Sequence, residues 1–64
     1  MPISIRQNEI LDLARSEGRV LVDDLARRFE VTLQTIRRDL SDLAEAGLLD
    51  RVHGGAVPRS GMVN

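Results

Sequence analysis

Sixty-four residues with one histidine and no cysteine exclude a disulfide framework, a thiolate or histidine-cluster metal site, and more than one small domain. Apolar residues make up 42% of the chain, yet no run approaches the roughly 18 needed to cross a bilayer and no charged-then-apolar leader opens it, so a cytoplasmic domain is expected. The net charge of −1 hides a polarised distribution. All nine cations are arginine; four of them fall between Arg27 and Arg38 against one acid, Glu30, and no acid follows Asp50.

In chain order, the first helix is expected to start at Ser4. There "SIRQ" forms a capping-box pattern in which Ser4 caps and Gln7 reaches back. Ile10, Leu13 and Ala14 then form an i, i+3, i+4 stripe with Leu11 on its flank, and Gly18 supplies a left-handed stop. "RVLV" suits one short strand. A second helix shows Val22, Leu25, Ala26 and Phe29 on one face, capped at Leu21 or, if it starts later, at Asp23. Arg27 and Arg28 leave that face. Only "EVT" separates it from a third helix, with Val31 plugging the corner and Thr32 capping. The third helix carries Ile36, Leu40 and Leu43 inward, and Gly47 ends it. Two helices joined by so tight a corner form a helix-turn-helix unit.

The last segment, "LLDRVHGGAVP", reads as a hairpin turning on Gly54-Gly55, a pair suited to positive φ. Pro58 confines the second strand to an edge. The fold class predicted is therefore mainly α: a winged helix-turn-helix of three helices plus a C-terminal β-hairpin wing. The domain is expected to cover residues 1–58, with 59–64 a linker.

Two adjacent arginines on one helix point about 100° apart and cannot both hide against a core. With Ile36 at the centre of the buried stripe, Arg38 falls about 160° away, beside Gln34; Ser41 shares this outer face, and Thr35 and Arg37 border it. Amide, hydroxyl and guanidinium groups are those that read base edges in the major groove. The start of such a helix, at Thr32, adds partial positive charge toward phosphate. The alternative is a solvated face, in which Arg38 and Asp42 form an ordinary i, i+4 pair. The corner, the flanking Arg27-Arg28 and the adjacent glycine hairpin favour the first reading.

These residues carry a family resemblance. "VTLQTIRRDLSDLAEAGLLDRVHGGA", with "RQNEIL" and "DDLARRF" upstream, resembles the N-terminal DNA-binding domain of DeoR-family bacterial transcriptional regulators from about Arg6 to Ala56. "QTIRRDLSDLAE" is especially like the glycerol-3-phosphate regulon repressors of that family. The resemblance implies a repressor of sugar or polyol catabolism genes that binds double-stranded operator DNA. It also implies a separate C-terminal domain that binds a phosphorylated sugar or polyol and mediates homo-oligomerisation, so this chain looks like a fragment. It carries DNA contacts over to Gln34, Thr35, Arg37 and Arg38, with His53 and Gly54 at the wing. Two departures stand out: Leu21 replaces a hydroxyl cap, loosening the second helix start, and Asp50 puts an acid near the wing.

The candidate DNA-binding residues are thus Thr32, Gln34, Thr35, Arg37, Arg38, Ser41, Arg27, Arg28, His53 and Gly54. His53 reads either as a wing contact or as a turn residue. Asp39, at the core border, is expected to pair with Arg51 or Arg28, and Arg6 either touches DNA backbone or is solvated. No cofactor is expected. A protein-interaction winged helix is the main alternative and would need an exposed apolar patch. An RNA-binding module would need exposed aromatics, whereas Phe29 lies in a core stripe. No nucleophile and acid–base set converges, so an enzyme is not expected.

Overall fold

The computed structural model describes residues 4–59 of the chain. Its first helix, α1 (Ile5–Glu17), begins with the expected capping box. The Gln7 backbone N–H donates to Ser4 Oγ at 3.0 Å, and the Ser4 N–H donates to Gln7 Oε1 at 3.3 Å. Gly18, at φ 86°, ends the helix in the left-handed conformation. The buried stripe is Gln7, Ile10, Leu11 and Ala14, rotated toward Leu11, while Leu13 stays half-buried.

A two-residue strand, β1 (Val20–Leu21), runs directly into α2 (Val22–Phe29). Leu21 is the N-cap and offers no side-chain hydrogen bond. One of the four orphan donors of this helix start is satisfied by the wing: the Val22 N–H donates to the carbonyl of Gly54 at 2.9 Å. The wing thus holds the first residue of the second helix, while Leu21 supplies no side-chain acceptor to the N–H groups that follow. At the corner, Glu30 adopts a left-handed φ of 58° and the Val31 N–H returns to the Ala26 carbonyl at 3.0 Å. Val31 packs half-buried against the core.

The third helix, α3 (Leu33–Glu45), is capped by Thr32, whose hydroxyl accepts the Thr35 N–H at 3.1 Å. It closes in a Schellman arrangement, with Gly47 N–H to the Ala44 carbonyl and Leu48 N–H to the Leu43 carbonyl, both at 3.0 Å. Thr32→Ala is expected to cost about 1 kcal/mol, lowering Tm by about 4–8 °C in a thermal melt. An unchanged Tm would show that the cap is dispensable.

The wing consists of β2 (Leu49–Val52) and β3 (Gly55–Pro58). Because Val52 pairs with Gly55, the two turn residues are His53 and Gly54, not Gly54 and Gly55. Gly54 alone of these takes a positive φ, at 79°. Nor is β3 an edge strand: the sheet order is β1-β3-β2. Pro58 is tolerated there because β1 reaches only Gly55 and Ala56, leaving no third strand beside it. Beneath the sheet, Ile10, Ile36, Leu40, Leu43 and Leu49 are fully buried, so α1, α3 and β2 share one core. The architecture is the expected winged helix-turn-helix, with the short strand expected at "RVLV" pairing with β3.

Candidate nucleic-acid interface

The outer face of α3 presents what its periodicity requires. Gln34, Arg37 and Arg38 are exposed, and Thr35 and Ser41 are half-buried at its borders. Burial of Ile36, Leu40 and Leu43 fixes this rotation about the helix axis. Among the described residues, no hydrogen bond or ion pair holds the side chains of Arg28, Arg37 or Arg38. The i, i+4 pair of a merely solvated face does not form. Asp42 instead accepts a hydrogen bond from Gln7 Nε2 at 3.2 Å. The guanidinium groups of Arg37 and Arg38 are left to solvent.

The wing closes one side of this face. Arg51 on β2 donates from Nη1 to Ser41 Oγ at 2.7 Å, tying strand to helix. Arg37, Arg51, His53, Gly54 and Arg27 line one open cleft with the first turn of α2. Four sequence-derived candidates from three elements therefore meet: Arg27, Arg37, His53 and Gly54. Arg28 does not join them; it lines a second cleft with Arg19 and Leu13. Thr32 and Thr35 bind each other, their hydroxyls 2.9 Å apart at the start of α3.

The DeoR-like helix-turn-helix domain model matches residues 6–60. This chain belongs to that family. It is 48% identical over 59 residues to the glycerol-3-phosphate regulon repressor of Escherichia coli (strain K12), covering 92% of this chain and 23% of the relative. It is 50% identical over 52 residues to the transcriptional repressor AccR of Agrobacterium fabrum, covering 81% of this chain and 20% of the relative. A third relative, the L-fucose operon activator of Haemophilus influenzae, is 44% identical over 55 residues, which cover 86% of this chain and 22% of that protein. The chain thus spans about a quarter or less of these relatives' length. No solved structure matches it significantly.

In this DeoR-like domain the acids near the face are partnered differently from expectation. Asp39 pairs with neither Arg51 nor Arg28. It is buried and accepts from Arg6 through Nε at 2.5 Å and Nη2 at 3.3 Å, and from Gln7 Nε2 at 3.1 Å. Arg51 is engaged by Ser41 instead. The hydrogen bond to Asp39 raises the Arg6 pKa above its ordinary value; burial opposes this and the Asp39 charge adds to it. Asp50, the acid near the wing, lies 3.7 Å from Arg59 Nε. Arg27 makes an exposed i, i+3 pair with Asp24 at 3.3 Å, weak enough to exchange for another anion.

Arg6, expected either to touch DNA backbone or to be solvated, and Arg51, expected as a partner of Asp39, therefore bracket α3 through Asp39 and Ser41. For Arg6 a signal existed: the capping box fixes it in the first turn of α1, one residue before buried Gln7. Large exposed apolar side chains are Ile5, Leu21, Leu33 and Val52, each on a different element. Among the described residues, no helix is long and apolar enough to cross a membrane.

Proposed function

We propose that this chain is the operator-reading domain of a cytoplasmic bacterial repressor of sugar or polyol catabolism genes. The observation that carries this reading is the free outer face of α3. Gln34, Arg37 and Arg38 stand unpaired among the described residues on the second helix of a helix-turn-helix, beside a wing that adds Arg51 and His53. Arg38 reads a base edge; Arg37 makes a mixed base and phosphate contact. Gln34, Thr35 and Ser41 complete the groove-facing set. Arg27, Arg28 and the start of α3 at Thr32 hold phosphate, with His53 and Gly54 as wing contacts. The relatives named as regulators of glycerol-3-phosphate and fucose genes support the catabolic setting. Residues 1–58 form the reading unit and 59–64 lead toward a C-terminal domain; of these, 1–3 and 60–64 lie outside the described residues. That domain binds a phosphorylated sugar or polyol and pairs the protomers.

The test is binding to a duplex selected from a random pool, at two salt concentrations. Affinity should be weak, since paired half-sites require a dimer, and should fall steeply as salt rises. Arg28→Ala should weaken selected and random duplexes alike and flatten the salt slope by about one unit. Glycerol 3-phosphate at millimolar concentration should change binding no more than inorganic phosphate does. Salt-insensitive binding would overturn the assignment in favour of a protein-docking module.

A further inference from the structure

Residues one turn apart on α3 mark its two flanks. Arg37 and Ser41 lie on one, Thr35 and Asp39 on the other. The wing occupies the first flank through Arg51 and Ser41, and α1 occupies the second through Arg6 and Asp39. A helix about 10–12 Å across fills a major groove about 12 Å wide, so both flanks meet sugar-phosphate walls. On the wing flank Arg37 and Arg51 suit that encounter. On the other, beside the neutral Thr35, α3 contributes the carboxylates Asp39 and Asp42, which would repel phosphate. Among the described residues, the cation placed against that flank by a contact is Arg6.

Its geometry is that of a held donor. Nε and Nη2 are fixed on the Asp39 carboxylate, while Nη1 has no partner among the described residues. The Arg6 side chain is 36% exposed, whereas that of Asp39 is only 7% exposed. The buried carboxylate is thus covered by a partly exposed arginine side chain whose Nη1 is not taken up by that contact. Holding the side chain this way removes much of the rotamer entropy a phosphate contact would otherwise cost. We propose that Arg6 is a phosphate-binding residue of the interface, seated by Asp39 on the flank of α3 opposite the wing. The domain then grips both strands' backbones across the groove. This rests on the DNA-binding reading above.

The test uses random-sequence duplex, so that base readout does not intervene. Arg6→Gln combined with Asp39→Asn removes the cation without leaving a buried carboxylate uncovered. Its salt slope should be shallower than the parent's by about 0.9, the share of one phosphate. Asp39→Asn alone retains Arg6 and should retain the slope. Should the double variant fail to fold by circular dichroism, the parent decides: the Arg6 Nε–H resonance should shift on adding duplex. A parent that binds duplex with normal salt dependence, while the double variant keeps its slope or the Arg6 resonance stays still, overturns the Arg6 assignment alone. A parent whose duplex binding ignores salt overturns the DNA-binding reading, and Arg6 with it.

Discussion

Gly55→Ala should destabilise this domain more than Gly54→Ala, although Gly54 is the residue in the turn. Gly54 has φ 79° and open space where a Cβ would stand, so alanine there meets only the left-handed backbone penalty, about 1–2 kcal/mol. At Gly55 an added Cβ would stand 2.0 Å from the carbonyl oxygen of Val20 and 3.1 Å from the Cα of Leu21. Those atoms are backbone and cannot rotate away. Strand β1 must move off β3, and the adjacent bond from Val22 N–H to the Gly54 carbonyl, which anchors α2, is lost with it. About 3 kcal/mol or more is expected for Gly55→Ala, with Gly55→Val worse. A domain of this size holds only about 3–10 kcal/mol. Chemical denaturation of both alanine variants checks the order. Equal losses, or a larger loss at Gly54, would show that β1 yields easily.

That glycine marks the boundary of what could be read in advance. The three helices, their caps at Ser4 and Thr32, and the inward set Ile36, Leu40 and Leu43 were legible because each is a local pattern within a few residues. The outer face of α3 followed from the same 100° step. What escaped depended on partners far along the chain. The "RVLV" segment announces a strand without naming its neighbour, so local pattern alone makes β3 an edge and Gly55 a turn residue. In the fold, Leu21 lies against Gly55, and the close approach leaves no room for a side chain. Asp39 likewise had several arginines within plausible reach. Its choice of Arg6 depends on how α1 crosses α3, which no periodicity in either helix encodes. The same limit concealed Arg51: only the docking of the wing on α3 brings its guanidinium to Ser41.

Arg38→Ala should separate the two meanings of the paired arginines. Arg38 lies on the exposed side of α3, about 160° from the buried Ile36, and has no side-chain partner among the described residues. Truncating it removes no core contact and unpairs no acid, so the melting temperature should stay within a few degrees of the parent. In the proposed interface it faces base edges, where a bidentate arginine–guanine pair is worth about 1–3 kcal/mol of discrimination. Affinity for the selected duplex should therefore fall by about 5- to 150-fold, with preference relaxed at one base pair. Random duplex should lose far less, because phosphate contacts made by other arginines remain. Arg37→Ala should behave as a mixture: Arg37 borders the wing cleft with Arg51 and His53, so both selected and random binding should weaken. Competition binding of each variant to selected and random duplexes supplies the comparison. If Arg38→Ala binds the selected duplex as tightly as the parent, this helix does not read the groove through Arg38, and its two arginines are a solvated face.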